Sequence, residues 1–444
     1  MSLINSTAIP SGATGYEIDQ SLRFNDDDAA YLSRTPSSAG NRKTWTWSGW
    51  FKRGNLTNDQ TLFQAGTGGG TRANIYLFNN TIMFLDTIST DVNFTTTQVV
   101  RDPSAWYHLV VQYDTTQSTA ADRLKMYLNG ERITEFTTST TIPQNTDGYV
   151  NNTVTHAIGT PAYNSAIAQF DGYMAEVHFI DGTALTPTSF GETGTYGEWK
   201  PIGVSGLTYG TNGFYLNFAT AADMGDDKSG NTNDWAENNI AATDQMLDSP
   251  TNNFATLNPL FTGGDNGVWN NHDGGGGYAE GNLKAIKGTH QAFVSTQAIK
   301  NYKVYWEVLA YDFNTCFGVI NAAPTGGNYS YNDSTAYGWY SYNGSGIHAG
   351  VWESPAGFYN GSAVTSGVIY QFAVDPSTRK MWIGKNGSWN GNPAEGTGEH
   401  TTLAVNDNGY TSWVHTAATT QNNDVWHNFG QDSSFAGKKT AQGN

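Results

Sequence analysis

Cysteine is almost missing from this chain. Cys316 is the single one in 444 residues, so no disulfide can form within it. Charge is scarce too: Asp, Glu, Lys and Arg make up 14% of residues, against roughly 25% in an ordinary domain. Basic residues are the scarcer kind, 22 Lys and Arg against 39 Asp and Glu, for a net charge of −17. With no basic stripe and that balance, a nucleic-acid partner is excluded. No stretch approaches the ~20 apolar residues of a membrane helix, so no membrane partner is expected. The opening "MSLINSTAIPSGATGYEIDQ" has no Lys or Arg and no apolar core, which is not the pattern of a secretory signal. A soluble protein made in the cytoplasm is the expectation. Nine histidines are scattered without H-x-x-x-H or H-E-x-x-H spacing, and Cys316 has no base beside it, so neither zinc nor thiol chemistry is supported. In "TCFGVI", Cys316 reads as a buried strand residue.

What the chain does have is glycine, 51 residues of it, and aromatics at 13%. Short strands joined by tight turns have this composition, and the aromatics supply enough apolar surface to escape disorder. Period-2 alternation recurs throughout and a sustained 3.6-residue period does not, so the expected fold class is all-β. "WYHLVVQYD" (Trp106 to Asp114) is apolar on both faces, as a central strand of a stacked sheet must be. "KMYLNGERI" pairs with it, and "FDGYMAEVHFIDG" (Phe170 to Gly182) reads as another strand. "RLKMYLNGERI" and, much later, "TRKMWIGKNGSW" place Lys-Met-aromatic before Asn129-Gly130 and Asn386-Gly387. Asn-Gly accepts the positive φ of a type I′ turn and is the strongest short hairpin signal. Two such devices so far apart predict two antiparallel jelly-roll-type β-sandwiches in tandem.

The boundaries follow from composition. Residues 1–20 read as an N-terminal arm, of which Met1 to Tyr16 is expected to lie outside the first sandwich and touch a neighbouring subunit, and residues 21–200 as that sandwich. Residues 201–262, dense in Asn, Asp, Gly and Pro, read as a connector with one short helix around Ala241 to Met246. The glycine run Gly274 to Gly277 opens the second sandwich, 263–444. Its strands include "KVYWEVLAYD", "CFGVINA", "AYGWYSYNG" and "DVWHNFG", with Trp306, Trp382 and Trp426 in the core.

At "SAWYHLVVQYD", "RLKMYLNGERI" and "FDGYMAEVHFIDGTALTPTSFGE" the chain resembles the laminin-G-like, concanavalin A-like family. At "KVYWEV", "FAVDPSTRKMWIGKNGSW" and "VWHNFGQDSSFAG" it resembles SPRY domains. The pair, joined by "DSPTNNFATLNPL", is similar to structural proteins of tailed, marine-type bacteriophages. That resemblance implies a virion component assembled in the host bacterial cytoplasm, non-enzymatic, with other virion proteins as partners and homo-oligomeric. It implies a tail fibre, appendage or head fibre that binds host-surface glycan or protein; the alternative is a structural decoration protein whose sandwiches only pack against other virion subunits.

Candidate chemistry is sparse. A retaining glycosidase on this fold needs two carboxyls about 5–5.5 Å apart. "EIDQSL" has Glu17 and Asp19 but Leu22 where a further Glu should stand, and Glu176 and Asp181 fall on opposite faces of a regular strand. "DDKSGNTND" sets Asp227, Asn231, Asn233 and Asp234 around Gly230, hard oxygen ligands suited to Ca²⁺ though without the bidentate Glu of an EF-hand. The same residues also spell an Asx-rich turn. "NDDDA" (Asn25 to Ala29) reads as a solvated loop. "NYSYNDSTAYGWYSYNG" and "VWESPAGFYNG" are Tyr-, Asn-, Ser- and Gly-rich, the composition of adaptable binding loops. They nominate Tyr329, Tyr331, Trp352, Phe358 and Tyr359 as a ligand surface on loops at one sandwich end. With few cations nearby, a neutral glycan or a protein is the expected ligand.

Overall fold

A computed structural model describes residues 15–56, 59–87, 92–261, 277–286, 291–311, 315–322, 334–340, 346–348, 351–353, 367–416 and 424–440. Strands are antiparallel throughout, and the helical elements among these residues are three 3-10 turns, Ala120–Asp122, Pro187–Ser189 and Ala242–Asp244. The chain separates into two units between Asn253 and Phe254.

In the first unit one sheet runs Glu131–Arg132, Leu124–Leu128, Trp106–Asp114, Thr44–Arg53, Gly172–Asp181, Ser21–Phe24, Gln245–Met246, with Phe214–Leu216 also pairing Gly172–Asp181. The facing sheet runs Phe136–Ser139, Val92–Val99, Thr81–Asp86, Thr71–Phe78, Gln60–Gly68, His156–Ile158, Tyr31–Arg34, Ala236–Asn238. Aromatic rings meet between the sheets: Trp47 lies 6.3 Å from Phe63, Trp45 lies 6.1 Å from Phe84, and Phe179 lies 6.0 Å from Phe63.

The expected connector is not a linker. Its strands Phe214–Leu216, Ala236–Asn238 and Gln245–Met246 complete both sheets of the first unit. The physical reason lies in buried cations. Asp248 meets Lys52 at 2.7 Å with both side chains fully buried, and Trp106 Nε1 donates to its other oxygen at 2.9 Å. Asn253 Oδ1 accepts from the same ammonium at 2.8 Å, and Asp244 holds the buried Arg23 at 2.8 Å. A composition that reads as turn is here supplying counter-charges. The short helix expected at Ala241 to Met246 is a single 3-10 turn followed by an edge strand.

The arm needs the same adjustment where it is described. Ile18 is buried and its N–H donates to Thr251 Oγ1 at 2.9 Å, while the Tyr16 hydroxyl lies 3.3 Å from that of Tyr215. Residues 15–20 thus pack on the first unit; the rest of the expected arm, 1–14, lies outside the described residues.

In the second unit one sheet runs Gly277–Ala279, Lys284–Ile286, Val425–Asn428, Val304–Ala310, Val368–Asp375, Lys380–Lys385, Ser388–Trp389. The other runs Gln291–Val294, Tyr410–Thr416, Thr315–Asn321, Tyr337–Tyr340, Gly346–His348, Val351–Glu353. Trp306 stacks on Phe372 at 5.0 Å in the layer between them, and Cys316 is fully buried as its strand predicts. Trp382 and Trp426 are buried too, but on the other face of their sheet. Trp382 Nε1 donates to Thr397 O at 2.9 Å, and Lys284 and Lys438 stand over the Trp426 ring.

Both Asn-Gly turns have the predicted geometry, with φ +49° and +82° at Asn129-Gly130 and +48° and +83° at Asn386-Gly387. Each sits between a two-residue edge strand and the Lys-Met-aromatic strand beside it. In each, the asparagine also reaches back to the next strand. Asn129 exchanges bonds with the backbone of His108 at 2.8 Å and 2.8 Å, and Asn386 with that of Ile369 at 2.9 Å and 3.1 Å. The repeated device therefore ties three strands rather than two. The methionine it carries, Met126 or Met381, is fully buried in each case.

Candidate functional site

Among the nominated aromatics, Tyr329, Tyr331, Phe358 and Tyr359 lie outside the described residues. Trp352 is placed on a strand rather than a loop, in register with Ile347. That strand, Val351–Glu353, is the outermost of a meander of three (Tyr337–Tyr340, Gly346–His348, Val351–Glu353) that extends the six-stranded sheet at one edge. Register fixes where the flanking segments depart. Val319 pairs with Tyr337, so the segment carrying Tyr329 and Tyr331 leaves at that end. Glu353 pairs with Gly346, which pairs with Trp339, so the segment carrying Phe358 and Tyr359 leaves from the opposite end. On the described strands Tyr337, Trp339 and Ile347 are buried.

The Asx-rich loop is fully described. Asp227 is 7% exposed and its carboxylate accepts from protein donors on both oxygens. Oδ1 takes the N–H groups of Tyr215 (2.8 Å) and Ser229 (2.9 Å); Oδ2 takes the Ser229 hydroxyl (2.8 Å) and the Asn233 N–H (2.9 Å). Asp234 Oδ1 accepts the Asp227 N–H at 3.1 Å. Asn231 and Asn233 turn their amide nitrogens to the carbonyls of Gly210, Thr211 and Gly213, and Asn233 Oδ1 receives Arg34. The four nominated side chains come together, and the chemistry they perform is that of a turn closing on itself. Among the described residues no group of three or more His, Cys, Asp or Glu side chains is placed to hold a metal ion.

A third cluster was not legible beforehand. Strand Gly172–Asp181 is not regular: Glu176 and Val177 together oppose Gly49, forming a β-bulge. Glycine is required opposite, because a Cβ on Gly49 would stand 2.9 Å from Trp47. Glu176 adopts φ +49°, unusual for a glutamate, and turns its buried carboxylate to the outer face. There the Tyr215 hydroxyl donates to it at 2.7 to 2.8 Å. His178 lies 3.6 Å from it through Nε2, shares a 3.0 Å bond with Tyr209 through Nδ1, and stacks on Tyr215 at 4.2 Å. Burial, then the Glu176 charge, raises the phenol of Tyr215 and pushes that of Tyr16 up to about 12, so both stay neutral donors. Phe190, Val204 and Leu207 of the following segment pack over the cluster. Asp181, on the core-facing side, is held by Asn41 N–H, Asn151 Nδ2 and Asn212 N–H at 2.8, 2.6 and 3.0 Å. The two carboxylates do not form an acid/base pair. Glu17 and Asp19 are exposed on the segment leading into the first strand.

The sequence profile of the concanavalin A-like lectin/glucanases superfamily, in its laminin G form, matches residues 25–189. Over those residues the first unit is similar to a concanavalin A-like, laminin G-type sandwich. No curated protein matches the chain. Solved structures with similarity include the mouse laminin alpha1 chain, domains LG4-5, at 9% identity, covering 96% of this chain and 92% of that one with a TM-score of 0.32. The SPRY domain of human HERC1 has 16% identity, 33% and 89% coverage and a TM-score of 0.25. A heptameric SAP-like pentraxin from Limulus polyphemus has 14% identity, 38% and 78% coverage and a TM-score of 0.29. The family profile ends at residue 189, whereas the first unit continues through the strands contributed by the former connector.

Proposed function

We propose that the chain is a non-catalytic surface protein of a tailed-phage virion, carried as tail fibre, appendage or head fibre, that binds a host-surface glycan or protein. The lectin-type sandwich supports the binding half of this reading. The observation that carries it furthest is the meander ending in Val351–Glu353: it adds three strands beyond the core sheet and bears the Tyr-, Asn- and Gly-rich segments at its connections. Such segments give large contact area at low entropic cost. The partner expected there is a neutral glycan or a protein, held by stacking and by Asn or Ser hydrogen bonds. Weak single sites become useful through many copies on a homo-oligomeric particle. The test is adsorption of particles carrying Trp352→Ala, or competition of adsorption by the purified chain. Reduced adsorption with unchanged assembly supports the proposal. Normal adsorption by Trp352→Ala and Tyr331→Ala particles would leave the packing-only decoration role.

A further inference from the structure

The outer face of the second sheet of the first unit holds polar atoms that its own fold leaves unanswered. Gln64 and Asn74 are direct cross-strand neighbours there, Thr61 and Tyr76 are the next such pair, and Arg72 opposes Gly66. Side chains so paired stand about 4.5–5.5 Å apart at Cβ. Thr61 and Gln64 are fully buried and Asn74 is 4% exposed, yet Thr61 Oγ1, Gln64 Nε2, Asn74 Oδ1 and Arg72 Nε have no hydrogen-bond partner. A buried donor or acceptor left unmade costs about 1–3 kcal/mol, so four on one face call for an explanation.

A ten-residue Ω-loop, Thr160 to Gln169, covers this face. Its ends are closed by Phe170 N–H donating to Gly159 O at 2.8 Å. Ala162 N–H donates to Gln64 Oε1 at 2.7 Å, which fixes the amide so that Nε2 is the free end. Thr61 N–H donates to Ala168 O at 2.8 Å. Tyr163 is the contact to Arg72: Nη1 donates to its hydroxyl at 2.6 Å and the guanidinium lies 5.4 Å from its ring centroid. No ion pair engages Arg72 among the described residues, although the chain carries 39 Asp and Glu. Asp59, whose charge Tyr76 feels, accepts the Asn79 N–H at 3.3 Å.

We propose that this face is a carboxylate-binding site, with Arg72 and Gln64 as its donors, Asn74 as acceptor for a neighbouring N–H or O–H of the ligand, and Tyr163 as the group the ligand displaces. The donor set carries the assignment. Arg72 Nε and Gln64 Nε2 are two N–H groups aimed at one side of the sheet, which two oxygens of one carboxylate answer, and Arg72 supplies the compensating charge. Asn74 Oδ1 beside them asks for a donor adjacent to that carboxylate. An acidic residue within a peptide provides one in its amide, and an acidic sugar in its hydroxyl. The phenol oxygen of Tyr163 occupies Nη1 in the ligand's stead. The site lies in a different unit from the meander and takes an anion where the meander is expected to take a neutral partner.

The test is calorimetric titration of the full chain with four probes: an acetylated hexapeptide containing two glutamates, its glutamine counterpart, a hexuronate tetrasaccharide and a neutral hexose tetrasaccharide. At least one acidic probe should bind saturably and its neutral counterpart should not; which one binds identifies the source of the carboxylate. Arg72→Gln and Gln64→Met should each weaken that binding at least tenfold with an unchanged melting curve. Tyr163→Phe should tighten it at least fivefold, because the bond from Arg72 Nη1 to the phenol no longer has to be broken. No saturable binding of either acidic probe, or equal binding by Arg72→Gln, overturns the assignment. Should Arg72→Gln fail to fold, Tyr163→Phe decides, and unchanged or weaker binding by that variant counts against the site.

Discussion

Acid should unfold this protein through its histidines well before its carboxylates titrate. His108, His156 and His427 are 1%, 5% and 1% exposed. Burial holds their imidazoles down to about 3, about 4 and about 3 respectively, against 6.5 in an unfolded chain. The sign follows from which state takes the proton. Below pH 6.5 the unfolded chain protonates these rings and the folded chain does not, so stability is full above about pH 6.5 and falls with pH until the folded values are reached. Each pH unit inside that window costs about 1.4 kcal/mol per ring. At pH 5 each histidine therefore removes about 2 kcal/mol, which makes about 4 in the first unit, holding His108 and His156, and about 2 in the second unit, holding His427. Asp26 and Asp28, raised chiefly by burial, act in the opposite sense nearer the carboxylate range. His427 gives the cleanest test, because its ring is buried, lies beside the backbone of Leu283 and Val425, and stacks on Phe429 at 5.7 Å. His427→Phe keeps the stacking and removes the titration. Urea unfolding at pH 7 and pH 5, read by proteolysis of peptides from 277–440, should show the wild-type second unit losing about 2 kcal/mol and the variant almost none. Equal losses in the two proteins would refute the reasoning.

Three further outcomes are expected. Gly130→Ala and Gly387→Ala share a φ near +82°, but a Cβ at Gly130 would stand 2.4 Å from Trp199 while that at Gly387 meets open space. Thermal melts should therefore show Gly387→Ala costing about 1 kcal/mol and Gly130→Ala clearly more. Lys52→Met leaves the Asp248 carboxylate buried without its cation, so chemical denaturation should report a loss of about 3–5 kcal/mol, partly recovered by Lys52→Met with Asp248→Asn. Asp227→Ala removes an acceptor of four bonds and should lower the melting temperature, whereas a chelator should leave the wild-type melt unchanged; a chelator-induced drop would restore calcium to the loop.

The features legible in the sequence are those fixed by short-range stereochemistry. Asn129-Gly130 and Asn386-Gly387 declare their turns because few other dipeptides tolerate two positive φ values, and Trp106 to Asp114 declares its strand through alternation. Roles set by distant partners could not be read. Asp244, Asp248 and Asn253 look like turn residues until Arg23, Lys52 and Trp106 are seen beside them. Glu176 looks like one step of a regular strand because nothing local announces a bulge opposite Gly49. Of the nominated ligand surface, only the backbone of Trp352 is described; it sits on a strand through its pairing with Ile347, which composition alone does not reveal. The Gln64, Arg72 and Asn74 face escaped notice for a similar reason. Its residues lie on two strands of ordinary alternation, and the signal is an unmet hydrogen bond rather than a motif.

The first strand, Ser21–Phe24, waits longest for its neighbours. Leu22 pairs with Met174 on one side and Gln245 on the other, so neither partner exists until most of the first unit has been synthesised. A ribosome adding ~5–20 residues per second leaves that strand with both edges open for many seconds. Sheet closure between such remote segments is also intrinsically slow, because the loop entropy is lost before the contacts repay it. Any fragment ending near residue 200 would keep one of those edges open permanently. It lacks Gln245–Met246 and the counter-charges for Lys52 and Arg23, and it presents an unpaired edge to every other copy. Expression boundaries for the first unit therefore belong after Asn253.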